Sequence, residues 1–543
     1  MLYYIRLHYT CVFLRFAKKK GKYGMEVYAQ LAEKYRENGK QKTRVIRHLG
    51  PVHNENDMER YRSIFQQELQ KSKLAGTGMG NIAFDPPLDF GMIYAARNIM
   101  EDTGIMRSLS VLGKYRETIF LMMAARITHP GSDISIRRFF QTVYYPWDSP
   151  RIGKDDLYRS LDALIGFKDR IEMRLFTALK PDTSLVHYDL TSSYFEGEEN
   201  NDLVLFGYSR DKKRGKEQIV IGLVMADGIP IHHEVWPGNT VDPKTLESTI
   251  SVLKDHFRIK NMIFIADRAF GRSKSLDLLD QNRYITAAYR WDQPYRNVLM
   301  ETDFTHGNVV NDLIIKKVTI DVDDVMKEDS RADQRMLAGK RRYIAVYNRK
   351  REDLDLEDLN DKIDIVKKKI AETTDQKELK KSLGKMKSLV RFTKNGTVLN
   401  ENRINMLKKL AGRFLIVTNT DLTEEGIVSA YKEQWQIERS FRTIKSFIEI
   451  RPVYHRKEER IRAHVFVCVL SLLLSRIIEK RLTASRLTVE RAAEILWGIK
   501  AIPVKSPMRI VYGSESDEAA RILNEMGIKP PDRILVGALP ETC

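Results

Sequence analysis

Two aspartates of this sequence stand in surroundings that suit chemistry. Asp189 lies within an apolar, strand-like run, VHYDL, and Asp267 directly follows another such run, IFIAD. Either aspartate alone is weak evidence, because aspartates commonly end strands. A carboxylate inside a β-branched and aromatic run such as VHYDLTSSYF is less usual, since a buried carboxylate must be paired or must bind a metal. The carboxyl ends of strands also border the functional crevice of open α/β sheets.

A third acid belongs to the segment AYKEQWQIERSFRTIKSF, residues 430–447, which begins as a run of good helix formers. At about 100° per residue, one continuous α-helix places five polar residues within a stripe about 80° wide. They are Tyr431, Gln434, Glu438, Arg442 and Lys445. A solvated polar face is the alternative, and it describes most charged stripes. The tyrosine in the stripe and the aromatic residues beside it favour a packed helix whose carboxylate faces protein or a ligand.

Three carboxylates from two strands and one helix could bind two Mg²⁺ ions, because Mg²⁺ is a hard cation that prefers oxygen ligands. Two ions about 4 Å apart could bind the attacking and the leaving oxygen of an in-line phosphoryl displacement. Cations farther along the same helix could then hold a nucleic-acid backbone. The pattern therefore predicts phosphoryl transfer on a nucleic acid.

The bulk composition agrees with such a partner. The chain has 543 residues, enough for two or more domains with separate cores. Its 91 Lys and Arg residues exceed its 73 Asp and Glu residues, which gives a formal net charge of +18. This balance favours a polyanionic partner, either nucleic acid or an anionic membrane surface.

Neither membrane insertion nor secretion is predicted. The longest apolar run, Val465–Leu474, is far shorter than the roughly 20 residues that span a bilayer, and it is interpreted as a buried helix. Charged residues interrupt the apolar start of the chain, which lacks a signal-peptide cleavage site. The three cysteines, Cys11, Cys468 and Cys543, are widely separated and predict neither disulfides nor a zinc site. A reducing cytoplasm fits these features.

Changes in periodicity and charge divide the chain into six predicted regions. Residues 23–49 suggest two polar strands around Asn38-Gly39, a dipeptide that favours a type I′ turn, with many basic residues nearby. From about residue 88 to 179 the apolar spacing is helical. The regions are a basic β-hairpin module that could contact DNA (1–86), a helical module (87–182), the first part of a catalytic core (183–289), an insertion (290–412), the second part of the core (413–480) and a C-terminal helical region (481–543).

The core is predicted from the order of its elements. Short β-rich runs begin near Leu185, and a hairpin follows around Asp227-Gly228. Helical segments then alternate with strands up to Ala288, an order that predicts a mixed sheet with helices packed on it.

The alternation is lost between Arg290 and Arg413, where a charge-dense segment suggests an exposed helix pair. Strand-like runs flank that segment, so the whole is interpreted as an insertion into the sheet domain. The helix that carries Glu438 follows, with Thr423 as its predicted N-cap.

Four motifs occur in the order found in one known family. HYDLT around Asp189 and IADRAFG around Asp267 look like the family's first two catalytic acids. WPGNTVDPKTL (236–246) is similar to the family's segment between these two acids. The spacing Tyr431-x2-Gln434-x3-Glu438-x6-Lys445 resembles the signature Y-x2-R-x3-E-x6-K, and RPVYHRKEERIRAHVFVCVL continues it. The sequence thus resembles DDE-type insertion-sequence transposases of the IS-four type, over residues 185–474. The N-terminal run YRENGKQKTRVIRHLG is similar to a subgroup of that family.

The resemblance implies an α/β fold, with an RNase H-like mixed-sheet core that a β-rich insertion with a charged helical segment interrupts. A small β-hairpin module and a helical module for end binding or dimerisation would precede this core. The resemblance also implies cleavage at transposon ends that depends on Mg²⁺ or Mn²⁺, with two ions per site. Joining to target DNA would follow by direct transesterification.

Site residues can be carried over by position. Asp189, Asp267 and Glu438 would be the catalytic metal ligands, while Tyr431 and Lys445 would touch transposon-end phosphates. Gln434 departs from the family, because it occupies the signature's arginine position. A glutamine can still hydrogen-bond a phosphate but brings no charge, so Arg442 or Arg439 could compensate. Two further residues complete the predicted DNA contacts: Arg268, beside the second aspartate, and Trp291, which could stack on a flipped base.

The leading hypothesis is a cut-and-paste transposase that acts in the cytoplasm as a homodimer on paired terminal inverted repeats of double-stranded DNA. Two alternatives remain open. One is a catalytically inactive DNA-binding derivative of a transposase, which the three intact acids disfavour. The other is an RNase H-fold nuclease without strand transfer, which the long insertion and the tyrosine–lysine stripe disfavour.

Overall fold

In the computed structural model of this protein, contacts within the chain define two units. The first comprises Met1–Ala95, Phe140–Ser149 and Arg491–Cys543, and the second comprises Ala96–Phe139 and Pro150–Glu490. The structure describes residues 4–7, 10–21, 24–37, 40–52, 54–75, 83–84, 86–132, 135–195, 201–207, 215–326, 332–373, 375–393, 396–451, 453–505, 509–512, 517–531 and 534–535.

The first unit begins with an antiparallel sheet of four strands in the order β1-β2-β3-β4. These are β1 (Tyr4–Leu7), β2 (Thr10–Gly21), β3 (Gly24–Glu37) and β4 (Lys40–Val52). β3 and β4 form the predicted hairpin, with Glu37 paired to Lys40. The predicted turn residues Asn38 and Gly39 lie outside the described residues. The hairpin is part of a larger sheet than predicted, and helix α1 (Glu55–Ala75) packs Tyr61 and Phe65 against it.

A second sheet of the first unit joins segments that are distant in the sequence. Its order is β21-β20-β19-β5, with β6 also paired to β19. The strands are β5 (Ala83–Phe84), β6 (Leu88–Asp89), β19 (Lys500–Lys505), β20 (Arg509–Tyr512) and β21 (Ile534–Leu535). The C-terminal region predicted as helical therefore contains strands as well as helices α19 (Val489–Leu496) and α20 (Asp517–Glu525).

Helices occupy residues 91–179, where the apolar spacing predicts them. They are α2 (Gly91–Asp102), α3 (Ile105–Ser108), α4 (Arg116–Thr128), α5 (Ile136–Thr142), α6 (Lys154–Gly166) and α7 (Lys168–Leu179).

A ten-stranded mixed sheet forms the centre of the second unit. Its order is β10-β9-β7-β11-β12-β18-β15-β14-β13, with β8 paired to β9. The strands are β7 (Leu185–Tyr194), β8 (Leu205–Phe206), β9 (Glu217–Ala226), β10 (Ile229–Pro237), β11 (Ile263–Ala266), β12 (Arg283–Ala287), β13 (Asn308–Val310), β14 (Leu313–Val318), β15 (Arg342–Tyr347) and β18 (Arg413–Thr418). β11 is parallel to β7 and β12, whereas the other pairs are antiparallel.

Two helices lie between strands of this sheet, as the element order predicts. α8 (Asp242–Ser251) continues into a π-helical turn, and α9 (Ser273–Leu279) joins β11 to β12. The predicted mixed α/β fold is therefore present.

The segment between β12 and β18 contributes to the same sheet. Three of its strands, β13, β14 and β15, continue the sheet beyond β18. The rest includes a hairpin and six helices: α10 (Tyr295–Glu301), α11 (Val322–Val325), α12 (Ala332–Ala338), α13 (Arg349–Glu372), α14 (Gln376–Leu383), α15 (Glu401–Leu410), β16 (Val390–Thr393) and β17 (Gly396–Leu399). α13, α14 and α15 share a small apolar core, which includes Val366, Leu379 and Ile404.

The helix that carries Glu438 is not continuous. Thr423 caps α16 (Glu424–Lys432) as predicted, its side chain accepting a hydrogen bond from the Gly426 amide. A turn at residues 433–434 then separates α16 from α17 (Trp435–Ser446). Backbone bonds spanning three residues tighten this turn, including Gln434 N to Tyr431 O at 3.1 Å. The single predicted stripe is therefore wrong in detail, because tighter turns rotate the chain by more than 100° per residue.

The longest apolar run lies in α18 (Glu458–Arg481), which packs against α4, α6 and β10. By length and composition alone this helix could cross a membrane, but 94% of its apolar 18-residue window is buried within the protein. The interpretation of this run as a core helix is therefore confirmed.

Candidate active site

The pairing of β7 with β11 brings the two aspartates together. The strands are parallel, and Ala266 is the partner of Tyr188. Asp267 and Asp189 are the next residues of their strands, so they occupy matching positions at the carboxyl end of β11. Neighbouring strands lie about 4.8 Å apart, so Asp189 and Asp267 lie side by side on adjacent strands.

The alternation of the strands determines which face carries the acids. Tyr188 packs on Phe264 and Phe270, on one face. On the other face, Ile263 and Ile265 share a core with residues of α16. Because side chains alternate along a strand, Asp189 and Asp267 lie on the face that α16 and α17 cover.

Each aspartate is oriented by the backbone that follows it. The Asp189 Oδ1 accepts a hydrogen bond of 2.7 Å from the Leu190 amide. The Asp267 Oδ1 accepts one of 2.6 Å from the Arg268 amide, at the start of a short 3-10 turn. Each of these bonds limits the rotation of its carboxylate.

Glu438 lies in the first turn of α17, within electrostatic reach of Asp267. Partial burial and the negative charge of Asp267 raise the pKa of the Glu438 carboxyl, while the charge of Arg442 opposes this rise. Among the described residues, neither Asp267 nor Glu438 forms an ion pair with a lysine or an arginine. Two carboxylates that are close together and unpaired repel each other, which is the arrangement that a bound cation would relieve.

The pKa of Tyr431 is affected by the charges of all three acids. Burial is the largest cause of its raised pKa, and the charges of Asp267, Glu438 and Asp189 raise it further. The phenol is therefore within electrostatic range of every member of the predicted triad. Its ring is partly buried and packs beside Phe414, with the centroids 6.0 Å apart, against the core beneath α16.

Gln434 occupies the turn before α17 and is buried, with 6% of its surface exposed. Its Nε2 donates a hydrogen bond of 3.2 Å to the Tyr188 carbonyl, and its Oε1 lies 3.2 Å from His187 Nδ1. His187 was not among the residues predicted for the site. The alternation in VHYDL could have revealed it, because His187 and Asp189 share one face of β7.

Comparison with protein families supplies an independent observation. Residues 186–474 match the model of the transposase DDE domain, which is more than half of the chain. The chain belongs to the DDE transposases. Residues 14–75 match the N-terminal domain of IS1634 family transposases, so this is an insertion-sequence transposase. No curated protein matches the chain.

The acids of this transposase suit divalent cations in their chemistry. All three are carboxylates, the ligands that Mg²⁺ prefers, and two of them repel each other. In the described part of the chain, no three His, Cys, Asp or Glu side chains are close enough to bind one ion together. Mg²⁺ usually takes one or two carboxylates and fills its remaining positions with water and substrate oxygens. The donor set therefore fits ions held by pairs of carboxylates.

The other predicted DNA contacts of the transposase lie at different distances from the acids. Arg268 is exposed, and its charge acts on Tyr431. Arg442 is exposed one turn after Glu438, and Lys445 lies in the last turn of α17. Trp291 lies apart, in a pocket of about 300 Å³. The guanidinium groups of Arg290 and Arg403 lie 5.1 and 4.7 Å from its ring centroid.

Proposed function

We propose that this transposase cleaves the ends of an insertion sequence and joins them to target DNA by metal-dependent transesterification. The observation that carries the proposal is the parallel pairing of β7 with β11, which sets Asp189 beside Asp267 on the sheet face covered by the helices that carry Tyr431 and Glu438. Membership of the DDE transposases supports the same reaction class.

Asp189, Asp267 and Glu438 are the proposed ligands of two Mg²⁺ or Mn²⁺ ions. Bound divalent ions supply charge stabilisation for a phosphoryl displacement and lower the pKa of an attacking water or 3′-hydroxyl. Asp189 and Asp267 lie on the same face of the sheet, and the amides of Leu190 and Arg268 orient their carboxylates. Burial and then the negative charge of Asp267 raise the pKa of Glu438, and the charge of Arg442 offsets only part of this rise.

Basic and aromatic side chains around the acids are proposed to hold the DNA. Arg268, Arg442 and Lys445 would contact phosphates, since phosphate contacts position a duplex. Tyr431 would donate its hydroxyl to a transposon-end phosphate. Trp291 would stack on a flipped base in the pocket that it lines together with the cationic side chains of Arg290 and Arg403.

The strand order supports an RNase H-like core. β10, β9 and β7 are antiparallel neighbours, and β11 and β12 follow in parallel to β7. We assign residues 290–412 as the insertion of this core. Arg44 and Arg47 are exposed on β4, which supports DNA contact by the N-terminal sheet. A homodimer in the cytoplasm that pairs two inverted repeats completes the proposal.

Glu438→Gln tests the proposal most directly. The substrate is DNA that carries the inverted repeats of the element itself, incubated with Mg²⁺. We expect loss of strand cleavage with end binding retained, because the glutamine keeps the shape of the side chain but is a weaker metal ligand. Glu425→Gln, at an exposed position of α16, is the matched control and should cleave normally.

Three outcomes separate the competing functions. Cleavage and joining by the wild type support the transposase. Cleavage without any joining would favour a nuclease of the same fold. End binding by a wild type that never cleaves would favour an inactive derivative, and Mg²⁺-dependent cleavage by Glu438→Gln would remove Glu438 from the site.

A further inference from the structure

Gln434 connects the helix of one catalytic acid to the strand of another. Its Nε2 donates to the Tyr188 carbonyl and its Oε1 faces His187 Nδ1, both at 3.2 Å. These two residues directly precede Asp189 in β7. The side chain is almost completely buried, so these bonds form away from competing water.

The backbone of Gln434 also leads to Glu438. Gln434 is the residue before the first turn of α17. Its carbonyl accepts bonds from the amides of Ile437, at 3.2 Å, and Glu438, at 3.4 Å. One residue therefore bonds through its side chain to the strand of Asp189 and through its backbone to the turn of Glu438.

The hydrogen-bond roles at Gln434 are fixed by its partners. The Tyr188 carbonyl can only accept, so the amide nitrogen of Gln434 must face it. The amide oxygen then faces His187 Nδ1, which must carry the proton of this bond. Both ends of the amide are thus occupied within the protein.

We propose that Gln434 is a positioning residue that sets the separation of Glu438 from Asp189, rather than a DNA contact. The inference rests on the proposed function, because the separation matters through the ions that the two carboxylates would share. It also explains how a neutral residue can replace the arginine of the family signature. An uncharged amide can satisfy two buried partners, whereas a guanidinium there would bring an unpaired buried charge.

The test uses Gln434→Met, which keeps the length of the side chain and removes both hydrogen bonds. Gln436→Met is the matched control, because Gln436 lies two residues farther on, in α17, and its Oε1 points toward Gly228. Three quantities are measured for the full chain: the rise in Tm on titration with MgCl2 without DNA, the Mg²⁺ dependence of end cleavage, and end binding in EDTA.

For Gln434→Met we expect the half-saturating Mg²⁺ concentration to rise about tenfold or more in both titrations, the usual effect of losing support for metal ligands. End binding in EDTA should stay within about twofold of wild type, and high Mg²⁺ should restore part of the cleavage. Gln436→Met should match the wild type. A role limited to core packing would lower Tm in EDTA without moving the Mg²⁺ midpoint.

Several results would overturn the inference. An unchanged Mg²⁺ midpoint would show that Gln434 does not position the acids. Weaker end binding with a normal midpoint would make it a DNA contact, as would tighter end binding by Gln434→Arg. A wild type that neither responds to Mg²⁺ nor cleaves DNA would overturn the proposed function and this inference together. If Gln434→Met fails to fold, His187→Phe removes only one of the bonds and should produce a smaller shift of the midpoint.

Discussion

Two groups of acidic residues in the second unit are held in opposite ways. The proposed catalytic acids Asp189 and Asp267 lie on the sheet face that α16 and α17 cover, and the third, Glu438, lies on α17. Burial and the negative charge of Asp267 raise the pKa of Glu438. The second group is Glu172 and Glu234, which form a network with Lys168, His232 and His233, here called the Glu172 network. Glu172 is 4% exposed and has cationic partners on several sides.

Short contacts satisfy the carboxylate of Glu172. His232 Nδ1 lies 2.7 Å from one oxygen, and His233 Nδ1 lies 2.8 Å from the other. Lys168 Nζ adds a contact of 3.0 Å. Lys168 also lies 3.6 Å from Glu234, which joins the network from the same strand as the histidines.

The pKa values of the two groups move in opposite directions. Burial alone would raise the pKa of Glu172, but the charges of His232 and Lys168 hold it well below its usual range. The same partners lower the pKa of Glu234 to about 2 against the effect of burial. Glu438 instead has a raised pKa. Glu172 has cationic side chains of the protein as partners and therefore stabilises the fold. Glu438 does not form such an ion pair with a described residue, and it could instead bind a cation from solution.

The largest effect is expected from Asp189→Asn in the end-cleavage assay. Catalytic metal ions contribute several kcal/mol, and each 1.36 kcal/mol is tenfold in rate, so cleavage should fall by about a thousandfold or more. Asp182→Asn changes an exposed aspartate in the loop before β7 and should leave the rate unchanged. An equal loss of cleavage rate in the two variants would contradict the proposed difference between the metal-binding acids and other acids nearby.

The Glu172 network should respond in stability. Glu172→Gln leaves Lys168 and His232 without their buried counterion, which we expect to lower the free energy of unfolding by about 3 kcal/mol. Urea unfolding without metal measures this. Asp169→Asn changes a side chain one turn before Glu172 that is 79% exposed and lies 3.9 Å from Lys168, and it should change stability by less than about 1 kcal/mol. A stable Glu172→Gln variant would contradict the structural role.

The stability difference between wild type and Glu172→Gln should depend on pH. The lowered pKa of Glu172 gives stability that is complete above its unfolded value of 4.5 and is lost as the pH falls toward the lowered value. The raised pKa of His232 gives stability that is complete below 6.5 and is lost as the pH rises through its folded value. The difference in Tm should therefore be greatest between about pH 4.5 and 6.5. A difference that grows steadily up to pH 8 would contradict this pairing.

The smallest expected effect is a gain in stability from Glu438→Gln, whereas Glu172→Gln should lose stability. Because the pKa of Glu438 is raised, its ionised form destabilises the folded state, and the cost appears as the pH rises above the unfolded value of 4.5. In EDTA at neutral pH, Glu438→Gln should therefore have a slightly higher Tm than wild type, and the gain should vanish near pH 4. Mg²⁺ should reverse the order, since an ion that binds the folded state stabilises it. A lower Tm for the variant in EDTA at neutral pH would indicate a structural role for Glu438.

Local patterns predicted much of the core. The apolar runs around Asp189 and before Asp267 became adjacent strands, because strand formation follows the alternation and branching of nearby side chains. The N-cap at Thr423 was also predicted from the sequence, because capping depends on residues within one turn. Contacts between distant segments could not be predicted from such local patterns. β19 pairs with β5 and β6 from far earlier in the chain, and β13 to β15 extend the central sheet instead of staying apart from it.

The sequence by itself determined which acids could act, in which strands and helix they lie, and that the protein would carry excess positive charge toward DNA. The tertiary structure alone decided the register of β7 and β11, the turn that separates α16 from α17, and the burial of Gln434 between helix and strand. The physical reason is range. Propensity and capping act within a few residues, whereas the spacing of three carboxylates depends on hydrogen bonds and packing between segments about 80 to 250 residues apart.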